Sequence, residues 1–260
     1  MVKRNTVRYG TWFVAPVILT LMASAAWCFT IVVPDSLEDV DGNSHMGGTY
    51  PDGMRYQQVY DASQFTALSG SDWITHVHLR PDQDNGEPFA STMDIEFRLS
   101  TTSAGPDSLS TTFADNIGPD ETVVFSGQWV LSSSDTGPGP RDFDIELALT
   151  TPFAYDPSVG NLLIDVFLYS AFDCTDIDAE ATAGDSVSAV QNSDIFSPTG
   201  QIATNGLVTQ FTIVPEPSGA VVLGAGIICL ALLRRLRQQG QSSIPRYAAA
   251  PVYQNRTRYS

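Results

Sequence analysis

Two short acidic runs carry the side chains best suited to hold an ion. Asp39, Asp41 and Asn43 alternate oxygen donors around Gly42 in the run DVDGN, and Asp173, Asp176 and Asp178 do something similar in DCTDID, with Glu180 and Asp185 nearby. Calcium takes six to eight oxygens from loops of this kind, and neither run has the twelve-residue spacing of an EF-hand. In a chain with 29 acids, such runs also arise as solvated loops that bind nothing. Ca²⁺ is the one cofactor these residues suggest.

His76 and His78 form the second candidate. An H-x-H on a strand turns both imidazoles to one face about 6–7 Å apart, which suits a shared Zn or Cu ion. The only other histidine, His45, sits in a Gly-rich loop that would have to fold over the pair. Arg80 continues the same strand face, and its charge opposes a bound cation. The plain alternative is an exposed strand face whose polar positions are histidine.

Catalytic patterns are missing. The chain contains no G-x-S-x-G, no H-E-x-x-H, no P-loop and no dinucleotide fingerprint. Three histidines offer little material for a Ser-His-Asp triad, and among so many acids some pair always falls at glycosidase separation. The expectation is a protein without enzymatic activity. Trp73, Trp129, Tyr56, Tyr60 and Tyr155 are of the type that stacks on sugars, although each fits core or edge packing better. Of the three cysteines, Cys229 lies in a C-terminal apolar run and Cys28 abuts an expected cleavage site. Cys174 alone lies well inside the body. If cleavage leaves Cys28 on the mature chain, a Cys28–Cys174 disulfide is available in an oxidising periplasm. Otherwise Cys174 is a small buried hydrophobe.

The elements that must position these residues are strands. Trp73–Arg80 alternates, with Trp73, Thr75, Val77 and Leu79 facing one way and Ile74, His76, His78 and Arg80 the other. Met93–Leu99 and Phe143–Leu149 repeat the design, with Met93, Ile95, Phe97 and Leu99, then Phe143, Ile145, Leu147 and Leu149, facing inward. Asn161–Tyr169 is continuously apolar and reads as a central strand. Shorter strands are expected at Arg55–Tyr60, Thr122–Phe125, Gln128–Leu131 and Leu207–Val214. Asp156–Gly160 has the chemistry of a type I turn, Gly137–Pro140 is a loop, and Asp61–Leu68 has room for one short helical turn. Eight or nine strands without helices predict an all-β fold: a single, jelly-roll-like β-sandwich over residues 29–212.

Both ends carry membrane signals. Lys3, Arg4 and Arg8 precede the apolar stretch Trp12–Ala26, whose small residues at 23–26 complete a signal peptide over residues 1–26. Trp27 stands where a lipobox needs a small residue, which argues against lipidation of Cys28. Residues 218–233 hold no charge and span about 24 Å as a helix, enough for a short transmembrane segment whose ends are eased by snorkelling arginines. The Arg cluster points to the cytoplasmic side. Charge segregates accordingly. Between Asp35 and Asp194 lie 28 acids against four arginines, a formal −24, whereas residues 234–260 hold six arginines and no acid. So acidic an exported domain repels nucleic acid and anionic lipid, which excludes nucleic-acid binding.

Val214–Arg237 (VPEPSGAVVLGAGIICLALLRRLR) resembles the C-terminal sorting signal of PEP-CTERM proteins. The match lies at Pro215, Glu216 and Pro217, in the apolar helix, and at the cluster Arg234, Arg235 and Arg237. About 23 residues follow Arg237, where such signals usually end soon after their basic residues. Residues 238–260 are polar and read as a disordered cytoplasmic tail. The segment Asp107–Val166 resembles ectodomains common among PEP-CTERM proteins, which carry no established activity to transfer. The resemblance implies export in a Gram-negative bacterium, recognition by signal peptidase and then by an exosortase, and cleavage near the tripeptide. The expected product is a cell-envelope or extracellular-matrix protein, with exopolysaccharide as a partner. The alternative is a carbohydrate-binding β-sandwich, with or without calcium.

Overall fold

Alternation of apolar and polar residues is clearest in Phe89–Thr102, Ile145–Tyr155 and Thr209–Val214, which bury one face, while Met54–Tyr60 and Asn161–Leu168 are buried along nearly their whole length. The computed structural model describes residues 28–216, other than 69, 136 and 171, together with residues 230, 231, 233 and 234. Thirteen strands follow in chain order. They are β1 (Phe29–Val33), β2 (Ser44–Tyr50), β3 (Met54–Tyr60), β4 (Asp72–Leu79), β5 (Phe89–Thr102), β6 (Thr122–Ser133) and β7 (Ile145–Tyr155). After these come β8 (Asn161–Leu168), β9 (Phe172–Glu180), β10 (Val187–Asn192), β11 (Gln201–Ala203), β12 (Gly206–Leu207) and β13 (Thr209–Val214). Among residues 28–216 the fold is all-β, with one four-residue helix, α1 (Phe113–Asn116), and two 3-10 turns, Asp35–Leu37 and Ala62–Phe65.

The strands form three antiparallel sheets, ordered β1-β13-β4-β7, β11-β10-β3-β8-β5-β6 and β12-β9-β2. If β1, β3, β4, β5, β6, β7, β8 and β13 are counted one to eight, the two larger sheets read 1-8-3-6 and 2-7-4-5. One core unites them. Ile74, Val77, Ile145, Leu147, Phe153, Phe211 and Ile213 of the first sheet pack with Met54, Tyr56, Tyr60, Met93, Ile95, Phe97, Leu99 and Ile164 of the second. Within it lies an apolar cavity of about 110 Å³ between Met54, Met93, Leu131, Leu147 and Ile177, a lining too poor in polar atoms to hold water.

Several departures from simple alternation have local causes. In β4 a register shift between Ile74 and His76 lets Ile74, Val77 and Leu79 share the inner side, so Ile74 is buried rather than outward-facing. The expected pair Thr122–Phe125 and Gln128–Leu131 is a single strand, β6, through Gly127, whose φ of 138° suits a residue without Cβ. β7 starts at Ile145, leaving Phe143 outside it, where its ring lies under the Arg80 guanidinium at 4.7 Å. Leu207 belongs to the separate strand β12, paired with β9. The run Asp173–Asp178, expected as a loop, lies in β9.

β8 is central, between β3 and β5, and the reason for its nearly continuous apolar character, broken by Asn161 and Asp165, is visible. Its inner residues join the main core. Leu163, on the other side, meets Val59, Val190, Leu109 and Phe113 in a second cluster, formed where residues 104–117 fold over the sheet. Asp165 is buried on that side, gripped by Arg55 (Nε–Oδ1 3.1 Å, Nη2–Oδ2 2.6 Å) and by Gln57. The Arg55 guanidinium stacks between Phe113 and Phe167, 4.4 and 4.3 Å from their centroids. The Asp156 turn and the Asp61-capped turn form as their chemistry dictates.

β1 pairs with β13 along its whole length, so the unit closes where the described chain begins and ends. The expected signal peptide (1–26), the expected tail (238–260), Pro217, Arg235, Arg237 and nearly all of the expected transmembrane helix lie outside the described residues. Among the described residues, no helix is long and apolar enough to cross a membrane.

Candidate metal centre

The centre is built around β9. On one side β2 pairs with β9, with Ser44 opposite Ala179 and His45 opposite Asp178, so the loop just before β2 arrives beside Asp178. On the other side the chain leaving β4 continues as a short ladder. The Asp178 N–H donates to the Arg80 carbonyl (3.0 Å), and the Asp82 N–H donates to that of Asp176 (2.9 Å). Asp41, Asp82 and Asp178 therefore converge, each offering a carboxylate oxygen within 4.8 Å of the others.

The three carboxylates are held differently. Asp82 Oδ1 accepts from the N–H groups of Asp84 (3.1 Å) and Asn85 (2.7 Å) and from Asn85 Nδ2 (2.9 Å), which fixes the loop as an Asx turn. Asp178 is fully buried, and both its oxygens are engaged: Oδ1 by the Gly42 N–H (2.8 Å) and Oδ2 by Arg80 Nε (2.7 Å). A Cβ at Gly42 would collide with the Ala179 carbonyl oxygen, so only glycine allows this approach. Asp41 Oδ2 accepts from the Gln83 N–H at 3.2 Å, while Asp41 Oδ1 is buried with no hydrogen-bond partner.

Arg80 does not continue the histidine face toward solvent. It is 1% exposed and spends its donors inside, on Asp178 and on the carbonyls of Leu37 (2.9 Å), Glu38 (3.3 Å) and Val40 (2.7 Å). It thus pins the loop that presents Asp41. One internal cation among three carboxylates leaves two negative charges in excess. Burial pushes Asp178 up to about 6 against the pull of Arg80. Burial also raises Asp41, with the charges of Asp82 and Asp84 adding to the effect.

The donor set fits a hard divalent cation such as Ca²⁺. Asp41 offers an unused buried oxygen, Asp82 a second carboxylate, and Asp178 the fixed negative charge behind them. An open groove of about 350 Å³ beside them, lined also by Asn43, His45, Asp84 and Asn85, gives water access for the remaining positions. Asp82 escaped the reading of the sequence. Its run Asp82-Gln83-Asp84-Asn85 is four consecutive oxygen-bearing side chains before Gly86, and that was the available signal.

Most other expected ligands go elsewhere. Asp39 is exposed, and Asn43 donates to Glu180 Oε1 (2.6 Å) and Thr182 Oγ1 (2.9 Å). Asp173 accepts from Thr49 Oγ1 (3.0 Å). Asp173, Asp176 and Asp178 share a strand and do not converge, and of each acidic run one member reaches the centre. The rings of His76 and His78 stack 5.9 Å apart at 20° on the outer side of β4. His78 meets Thr212 Oγ1 at 3.0 Å, and half-burial lowers its pKa. His45 is not with them; its Nδ1 lies 3.3 Å from Asn85 Nδ2, at the carboxylate groove.

Cys28 is exposed, Cys174 is half-buried against the core, and both thiols are free. Burial raises the Cys174 thiol to about 11, leaving it a protonated, inert hydrophobe. Tyr56, Tyr60 and Tyr155 are core residues, with hydroxyls bonded to Gln58, Thr209 and the Gly160 carbonyl, and are closed to any sugar. Trp73 and Trp129 are half-buried, and Trp129 Nε1 donates to the Glu146 carbonyl. Pro215 and Glu216 leave directly from the end of β13, the Glu216 N–H donating to Asp72 Oδ1 at 3.1 Å, and Arg234 is exposed. No protein-family model, curated protein or solved structure matches this chain.

Proposed function

We propose that this chain is an exported cell-envelope or extracellular-matrix protein, sorted by its C-terminal signal, that works by binding rather than catalysis. Its body is a jelly-roll-like sandwich with a divalent-cation centre at Asp41, Asp82 and Asp178. The strand orders 1-8-3-6 and 2-7-4-5, a double Greek key, support the jelly roll. The segregation of 28 acids from the two basic flanks supports export with the arginines left inside. Signal peptidase and an exosortase are the processing partners, acting at residues near 26 and at Pro215-Glu216-Pro217.

One observation carries the binding role: the buried, partnerless Asp41 Oδ1 beside two further carboxylates. A buried acceptor left unpaired is costly, and a cation removes that cost while neutralising the excess charge. Calorimetric titration of Ca²⁺ into the purified chain at pH 7.5 tests it. One saturable site in the wild type, absent from Asp41→Asn, is expected; equal heats from both proteins would overturn the assignment.

A further inference from the structure

Among the described residues, one large aromatic side chain stands far out in water. Phe196 is 85% exposed, in the loop between β10 and β11, and Tyr169, just past β8, is 47% exposed beside it. With Asp52, Ser193, Asp194 and Ile195 they line an open groove of about 560 Å³ on a different set of residues from the metal centre. The loop that displays Phe196 is firmly built. Asn192 Nδ2 donates to the Thr199 carbonyl (2.7 Å), the Phe196 N–H to Asp194 Oδ1 (3.0 Å), and the Ser197 N–H to the Asp194 carbonyl (3.1 Å). Tyr169 is equally constrained, its ring stacked on Phe167 at 6.1 Å and 15° and its N–H donating to the Asp94 carbonyl. A rigidly presented, solvent-facing aromatic marks an interaction surface.

We infer that the Tyr169–Phe196 groove binds a hexose unit of a neutral or amino-bearing polysaccharide. The lining combines two aromatic rings, able to cover the C–H face of a pyranose, with carboxylates and a hydroxyl, able to take its O–H or N–H edge. Charge selects among polymers: Asp52 and Asp194, within a region of formal −24, repel nucleic acids, anionic lipids and uronic-acid chains. Openness selects against a protein partner, because the groove has no enclosed pocket to receive an anchoring side chain. An open cleft also admits the middle of a long chain as readily as its end. This assignment deepens the reading of the chain as an envelope or matrix binding protein by naming the class of its partner, and it does not depend on the metal centre.

Affinity electrophoresis of the full chain in a sugar-free detergent, through gels containing a neutral β-glucan, chitosan or alginate, provides the test. Retardation by the glucan or by chitosan, but not by alginate, is expected. Phe196→Ala and Tyr169→Ala should each weaken it about tenfold or more, and Phe196→Trp should retain it. Thermal melts of each variant, with and without Ca²⁺, show whether the fold and the metal centre are intact, so a failure here is separable from a failure there. Mobility unchanged in all three gels would overturn the inference, as would equal retardation of wild type and Phe196→Ala, or capture by a basic peptide alone.

Discussion

Asp178 and Asp41 make the proposed metal centre sensitive to acid in a defined window. Burial holds Asp178 at about 6, above the 3.8 of a free carboxyl, and Asp41 is raised as well. A carboxyl with a raised folded pKa binds its proton more tightly in the fold. Its stabilising contribution is complete below 3.8 and is lost as pH rises through about 6. Ca²⁺ competes with that proton, so the Ca²⁺-induced rise in Tm is expected to be full at pH 7.5, to shrink through pH 6 and to vanish near pH 4. The increment between paired melts with and without Ca²⁺ is the quantity to follow, because His78, with its lowered pKa, destabilises the fold as pH falls whether or not metal is present. An increment that does not change with pH would place the ion elsewhere. The amino-acid sequence showed that Asp41 and Asp178 were candidate ligands. It did not show that they would share one site, because Gly42 and Asp178, whose N–H and carboxylate meet there, stand 136 positions apart in the chain. Arg80 was misread for a related reason. Strand alternation assigns a face, but only the tertiary structure shows that loop 37–40 closes over that face.

At the scale of elements, the outer side of β8 is covered by residues 104–117 rather than by a third sheet, and Phe113 is the largest side chain of that cover. It is fully buried against Leu163 and Val190, and its ring stacks on Arg55, which in turn holds Asp165. Phe113→Ala is expected to cost about 3–5 kcal/mol in chemical denaturation, the range for a buried Phe replaced by Ala. A loss under 1 kcal/mol would mean that this segment is not part of the cooperative unit. Alternation located the middle of β5, Met93–Leu99, and the apolar run Asn161–Tyr169 located β8, because their inner residues lie in the main core. Alternation failed at β9, where a register shift against β2 interrupts it and the acids range from exposed Asp173 to buried Asp178. It also failed at β6, where Gly127 inside a continuous strand resembled a break.

Over the whole molecule, the β1–β13 pairing sets Phe29 opposite Ile213, so the proposed signal-peptide junction precedes, and the proposed sorting tripeptide follows, neighbouring strand ends. Both can be cut without interrupting a sheet. The proposed life history therefore predicts a secreted or surface form whose intact mass begins near residue 27 and ends near Pro215; full-length chain confined to the membrane fraction would refute it. The folded body that remains carries the acidic centre, and that centre is tested most directly by thermal melts of wild type and Asp41→Asn at pH 7.5, in EDTA and in saturating Ca²⁺. Ligand at about 100 times its Kd contributes about 2.7 kcal/mol. For a domain of this size that corresponds to a rise in Tm of roughly 5–10 °C. The wild type should show this rise and Asp41→Asn should not, while in EDTA the variant, relieved of one buried charge, should melt at or above the wild type. A wild type indifferent to Ca²⁺, or an Asp41→Asn chain stabilised as much as the wild type, would contradict the account.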